Sequence, residues 1–215
     1  NSLDYALVFL SANAMGAIPI AASPMLTPHE VASLLTYSGA RFLAWDGLLS
    51  LPEIDGVTVL SPEDIAKAKL DDGLILRLYM DALYRATYPQ DVIHHLAEDA
   101  PVVHDGDMAT IAQSLDFLGV NYYTRNFSSC GNPWDVASTG NQVTDMGWEV
   151  YPQGLTELLC RLHQDYQPKV LMVTENGAAF KDEYKEGVID DESRLVYVRE
   201  HIAATRAAIE QGVPV

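Results

Sequence analysis

Lys169-Val170-Leu171-Met172-Val173-Thr174-Glu175-Asn176-Gly177 decides the fold. Val170 to Val173 are apolar in succession, too few residues for a buried helix and without the alternation of a half-wetted strand. They read as a strand buried on both faces, as in a parallel sheet. The run ends on Glu175, a carboxylate at the C-terminal end of that strand, where parallel α/β sheets hold their reacting groups. A charge in that place is costly unless it is used or paired. On its chemistry alone Glu175 is a candidate nucleophile, base or metal ligand, and the plain alternative is a strand-end glutamate that reaches solvent.

The flanking sequence continues the alternation. Leu115-Asp116-Phe117-Leu118-Gly119-Val120-Asn121-Tyr122 reads as an earlier strand, and its polar end, Asn121-Tyr122-Tyr123, lies in the same topological place as Glu175. Gly154 to Tyr166 reads as the helix between the two strands, with Leu155, Leu158, Leu159 and Leu162 inward. A last helix runs from a cap at Asp190 or Asp191 to Gly212, with Leu195, Val198, Ile202, Thr205 and Ile209 as its expected buried stripe. Cys130 to Val143 reads as a long loop. Upstream, Ser61-Pro62-Glu63-Asp64 opens a helical stretch to about Arg85, interrupted by Gly73, and Pro89 restarts a helix through Val92, Ile93 and Leu96. Nearer the start, Thr27-Pro28-His29-Glu30 is a capping box for a helix carrying Val31, Leu34 and Leu35, ended by Gly39. Arg41–Trp45 and Val57–Leu60 read as strands. Leu3, Ala6, Leu7, Leu10 and Ala14 recur at helical spacing, and Ile18-Pro19-Ile20 reads as extended.

Composition narrows the partners. The chain has 215 residues, 48% hydrophobic and 20% charged, with 13 basic against 30 acidic side chains and a formal net charge of −17. That length supports one substantial core or two small ones. The acidic balance repels a phosphate backbone and an anionic lipid surface, so neither nucleic acid nor membrane is an expected partner. Tyr5 to Pro28 holds no charged residue, but Gly16, Pro19 and Pro24 break a spanning helix, and Asn1-Ser2-Leu3-Asp4 lacks the basic start of a signal peptide. Cys130 and Cys160 form no CxxC pair, which fits a reducing cytoplasm and leaves one bridge as the only pairing open. His29, His94, His95, His104, His163 and His201 show no ligand spacing, so no metal is expected. Asn126-Phe127-Ser128 is a formal glycosylation sequon expected to go unused. The sequence does not begin with Met, from which a fragment is the expectation.

Four segments then carry a resemblance: Leu115–Arg125 (LDFLGVNYYTR), Thr144–Leu155 (TDMGWEVYPQGL), Val173–Phe180 (VTENGAAF), and the run through Asp191, Arg194, Tyr197, His201 and Gly212-Val213-Pro214. In this order and spacing they resemble glycoside hydrolase family 1, the β-glucosidase family. The resemblance covers about residues 66–215 and is looser over Ala66–Pro89, with Leu78 where the family usually has Trp and Ala82 where it usually has Pro. It implies an α/β fold that is part of a (β/α)8 barrel, about strands six and seven with their helices, preceded by a small α/β segment. It implies a retaining β-glycosidase without a cofactor, acting on a β-glucoside or oligosaccharide, with Glu175 as the nucleophile that forms a covalent glycosyl-enzyme intermediate. Tyr123 would then hydrogen-bond and orient that carboxylate, Asn121 would lie close to the sugar, and Trp148 would line the aglycone side. The plain alternatives are a core aromatic for Trp148 and a packing residue for Tyr122.

The same resemblance shows what is absent. A retaining glycosidase needs a second carboxyl roughly 5 Å from the nucleophile. The family supplies it from a Thr-x-Asn-Glu-Pro segment, and this sequence has no Asn-Glu-Pro. Glu149, Asp145 and Asp182 are the available stand-ins, read more simply as solvated loop carboxylates. The isolated chain is therefore expected to be inactive or nearly so. Open sheet edges offer a surface for self-association, and a non-catalytic assembly role is the rival reading. Residues 1–65 resemble instead the N-terminal region of an adenylate-forming acyl-CoA synthetase, through Gly16-Ala17-Ile18-Pro19-Ile20 and Met25-Leu26-Thr27-Pro28, without that family's phosphate loop. The join near residues 61–70 has no Gly/Ser linker, which reads as a fusion of two fragments.

Overall fold

The computed structural model describes residues 26–40, 42–44, 57–128 and 136–215, and the chain divides into two units, 1–68 and 69–215. The helix expected over Leu3–Ala14, the extended Ile18–Ile20 segment, Trp45, Cys130 and the start of the loop that follows it lie outside the described residues. In the first unit, helix α1 (Pro28–Ser38) begins as its sequence dictates. The Thr27 side chain accepts from the Glu30 amide, the Glu30 carboxylate accepts from the Thr27 amide at 2.8 Å, and Pro28 occupies the first turn. Such a cap is worth about 1 kcal/mol. Gly39, in the left-handed region at φ 66°, closes the helix, and Val31 and Leu35 are its buried residues. Strands β1 (Phe42–Ala44) and β2 (Thr58–Leu60) pair in parallel, Leu43 opposite Val59.

Helix α2 (Pro62–Asp72) covers most of the expected join and runs into a π-helical turn (Gly73–Arg77) and helix α3 (Leu78–Arg85). The interruption at Gly73 is thus a widened turn and not a break. A Cβ on this buried glycine would collide with Val92 Cγ2 of helix α4 (Gln90–Leu96) and approach Arg77 Nη2 to 2.7 Å. Arg77 uses that space to reach Asp91 at 2.8 Å and Asp72 at 3.0 Å, while Arg161 reaches Asp72 at 2.6 Å. These ions tie α2 and α4 to the helix that carries Arg161. A short helix, α5 (Asp107–Ile111), precedes strand β3 (Leu118–Asn121).

The core is two successive β/α units: β3, helix α6 (Pro152–Tyr166), strand β4 (Leu171–Glu175) and, after a hairpin of β5 (Tyr184–Lys185) and β6 (Val188–Ile189), helix α7 (Glu192–Glu210). β3 and β4 are parallel, so their C-terminal ends share one edge. Leu155, Leu159 and Leu162 of α6 pack on Val120, Tyr122 and Leu171. Burying each such leucine stabilises the fold by about 1.5–3 kcal/mol. On the other flank of β4 the Leu171 amide donates to the Pro214 carbonyl at 2.8 Å, which brings the chain after α7 alongside the strand and buries Val213. Among the described residues the sheet closes no barrel.

Two expectations need correction. Leu195, Val198, Ile202 and Ile209 of α7 face solvent, each between 45% and 65% exposed, and the buried face carries Tyr197, His201, Ala204 and Ala208. Apolar residues lie on both faces of this helix, and the face turned inward is the one on which Ala204 and Ala208 admit close packing of α6. There Thr156 Oγ1 donates to the Ala204 carbonyl at 2.8 Å, a close approach that isoleucine does not allow. β4, expected to be buried on both faces, is covered on the Leu171 side, while Met172 is 47% exposed. Among the described residues the helices cover one face of this sheet.

Gly154 marks the tightest packing. Tyr122 Oη donates to the Tyr151 carbonyl at 2.7 Å directly over it, and a Cβ at Gly154 would collide with that hydroxyl and stand 2.7 Å from Tyr151 Cδ1. Gly154→Ala is expected to destabilise the chain by about 1–3 kcal/mol in urea unfolding, as overpacked cores do. An unchanged midpoint would show that Tyr122 has room to move.

Candidate active site

The site begins with a change of register. Val120 lies opposite Val173, but Asn121 lies opposite Glu175, so Thr174 is an extra residue on β4. Such a bulge bends the strand and re-aims the side chain that follows. Gly119 leaves the space Thr174 needs, since a Cβ there would stand 3.2 Å from Thr174 Oγ1 and Cγ2. Thr174 Oγ1 in turn donates to Asn121 Oδ1 at 2.7 Å. Past the bulge the ladder resumes, with the Tyr122 amide donating to the Glu175 carbonyl at 3.0 Å.

This register sets the central contact. Tyr123 Oη donates to Glu175 Oε2 at 2.7 Å, a charge-assisted hydrogen bond at an exposed strand end. The bond to Glu175 pushes the Tyr123 phenol above its ordinary ionisation range, because a phenolate cannot donate to the carboxylate. Trp148 stands beside the pair, its ring 5.6 Å from the Tyr123 ring and tilted by 53°. At 39% exposed it is not a core aromatic. Tyr122 is a packing residue, 5% exposed, with burial raising its phenol strongly. Of the four residues singled out from the sequence, Asn121, Tyr123 and Glu175 stand at the two strand ends and Trp148 flanks Tyr123.

Trp148 is carried by a tight turn. The Thr144 amide donates to the Trp148 carbonyl at 2.9 Å, the Trp148 amide donates to Thr144 Oγ1 at 3.2 Å, and Gly147 supplies the left-handed residue at φ 75°. The next residue, Glu149, corrects the expectation of a solvated loop carboxylate. Its side chain is fully buried and accepts from Arg125 at 2.7 and 3.0 Å and from Asn141 at 2.6 Å. Arg125 lies over the Tyr151 ring at 3.6 Å and the Phe127 ring at 4.6 Å. Asp182 is likewise in an ion pair, with Arg194 at 2.7 Å, while Asp145 is exposed on the turn. Behind the strand ends, Asn176 Nδ2 donates to the Tyr122 carbonyl at 2.8 Å and to Tyr197 Oη at 3.2 Å. Among the described residues no cluster of three or more His, Cys, Asp or Glu could hold a metal ion.

A tyrosine bonded to a carboxylate at the C-terminal edge of parallel strands stands where α/β barrels hold their reacting groups. The chain belongs to glycosyl hydrolase family 1, whose model matches residues 55–215. It is 36% identical over 142 residues to the 1,4-beta-D-glucan glucohydrolase of Thermotoga neapolitana, covering 64% of this chain and 33% of that protein. It is 30% identical over 187 residues to a 6-phospho-beta-galactosidase of Streptococcus equi subsp. zooepidemicus, covering 72% of this chain and 40% of that one. A solved beta-glucosidase from Thermotoga maritima in complex with deoxynojirimycin matches with a TM-score of 0.62 and 27% identity, over 75% of this chain and 40% of that one. The chain spans 33% to 40% of the length of these relatives, and its fold is a partial (β/α)8 barrel. The family match begins at residue 55, upstream of the join expected near residues 61–70.

Glu149 gives the site's support a pH signature. Burial by itself raises its carboxyl, but the hydrogen bonds from Arg125, Asn141 and Thr139 outweigh burial and hold it below the ordinary range. A lowered folded-state value stabilises the fold above the unfolded value, about 4.3, and that stability is lost as pH falls through the folded value. Glu149→Gln is expected to cost about 1–3 kcal/mol at neutral pH by leaving Arg125 poorly paired. Its urea midpoint should also depend less steeply on pH between about 5 and 3. Equal slopes in the two proteins would contradict the buried pair.

Proposed function

We propose that this chain carries the nucleophile half of a retaining β-glycosidase acting on neutral β-glucosides or oligosaccharides. The observation that carries the reading is the Tyr123–Glu175 hydrogen bond at the strand ends of a family 1 chain. Tyr123 holds Oε2, and Oε1 attacks the anomeric carbon while the bond from that carbon to the leaving oxygen breaks. The leaving oxygen takes a proton from a general acid. Water, losing its proton to the same group, then displaces Glu175 from the sugar. Asn121 contacts the sugar, and Trp148 offers an apolar face to the aglycone.

The general acid is the missing element, since the sequence has no Asn-Glu-Pro segment. General acid–base help is commonly worth about 10²–10⁴ in rate, so the chain alone should be slow on an unactivated disaccharide. A dinitrophenyl β-glucoside needs no protonation of its leaving group. The folded chain is expected to release dinitrophenolate from it, and Glu175→Gln to lower that rate by about 10³-fold or more. Equal rates in the two proteins would remove Glu175 from the chemistry.

Self-association is a second proposal, supported by the exposed Val170 just before β4, Met172 on β4 and the outward Leu195, Val198, Ile202 and Ile209 on α7. Light scattering should then give a discrete oligomer, and a monomer at every concentration would end the idea. For the part of residues 1–65 that precedes the family match at residue 55 we propose descent from an adenylate-forming acyl-CoA synthetase, supported by the Gly16–Pro28 sequence. A thermal shift with ATP and CoA checks it.

A further inference from the structure

Tyr197 lies on α7, in a different element from both strand ends, and is 2% exposed. Its hydroxyl donates to the Tyr123 carbonyl at 3.1 Å and accepts from Asn176 Nδ2 at 3.2 Å. Asn176 directly follows Glu175, and the same amide nitrogen donates to the Tyr122 carbonyl at 2.8 Å. One buried phenol thus bonds to the backbone of the residue that orients Glu175 and to the side chain of the residue after Glu175. The ring itself is fixed: it stacks on His201 at 3.9 Å and 24°, and His201 Nδ1 donates to the Tyr197 carbonyl at 2.8 Å.

The need for such a tie follows from the bulge. At Thr174 the regular ladder is broken, and the Tyr122 amide donates the backbone bond that joins the strand ends beyond it. Past Tyr122 and Glu175 the two segments leave the sheet, so the relative placement of Tyr123 and Glu175 depends on side chains. A hydrogen bond to a carboxylate is strongly directional, and small displacements of reacting groups are costly in rate.

We propose that the Tyr197 hydroxyl is a positioning group for the nucleophile, acting with Asn176 to lock the ends of β3 and β4 so that Tyr123 can hold Glu175. This rests on reading Glu175 as the nucleophile, but it acts through a contact that can be observed without turnover. Tyr197→Phe keeps the ring on His201 and removes only the bridging oxygen. Thr156→Val removes an equally buried hydroxyl that bonds α6 to α7, at 2.8 Å from the Ala204 carbonyl, away from the strand ends. It controls for a purely structural effect.

The experiment reads the Tyr123 Cζ resonance at neutral pH in the full chain labelled with ζ-¹³C tyrosine, assigned with Tyr123→Phe. Glu175→Gln defines the displacement that the carboxylate causes. Tyr197→Phe is expected to move the resonance at least about half of the way to its Glu175→Gln position, and Thr156→Val to leave it in place. The rate of inactivation by a dinitrophenyl 2-deoxy-2-fluoro-β-glucoside should fall about 10-fold in Tyr197→Phe and stay unchanged in Thr156→Val. A Tyr123 resonance unmoved by Tyr197→Phe, moved equally by Thr156→Val, or insensitive to Glu175→Gln overturns the proposal. If the wild-type chain is not inactivated, the nucleophile reading fails and the resonance alone still decides the positioning role.

Discussion

The extra residue at Thr174 is the constraint on which the site depends. Without it Asn121 would face Thr174, and Glu175 would leave the sheet one residue later, on the opposite face. Gly119 admits Thr174, Thr174 bonds Asn121, and the Tyr122 amide recaptures the Glu175 carbonyl. Only after these contacts does the Tyr123 phenol meet the carboxylate. Glycine and threonine in mid-strand are thus read best as geometry, and the chemistry follows from it.

Support for this edge comes from three directions. Leucines of α6 and the paired Leu171 hold the two strands, Tyr197 reaches in from α7, and the buried Glu149–Arg125 pair anchors the turn that carries Trp148. A buried ion pair of this kind is weak evidence of net stability. Its geometry is nevertheless demanding: the guanidinium is sandwiched against Tyr151 and bonded twice to one carboxylate. Such an arrangement fixes where the preceding residue, Trp148, can stand.

Much of this was legible in the sequence, and the part that was not has a common cause. Val170–Val173 followed by a carboxylate, and Asn121-Tyr122-Tyr123 at the end of a second strand, carry local signals that survive folding, and the family segments add their order and spacing. The faces of α7 do not, because Leu195, Val198 and Ile202 compete with Tyr197, Ala204 and Ala208, and only the surface of α6 decides between them. Glu149 sits among turn residues and reads as solvated until Arg125, from the segment after β3, is brought over it. Tyr197 belongs to a recognisable run, yet its hydroxyl acquires a partner only when three elements meet. The bulge leaves no periodic trace, since Val170–Val173 are apolar in succession and offer no alternation for an added residue to break.

Covalent trapping tests the assignment of Glu175 most directly. The folded chain, treated with a dinitrophenyl 2-deoxy-2-fluoro-β-glucoside, digested and mapped by mass, should carry one fluoroglucosyl group on Glu175, and Glu175→Gln should carry none. An adduct on another residue, or none on a chain shown to be folded, would contradict the placement of the nucleophile at this strand end.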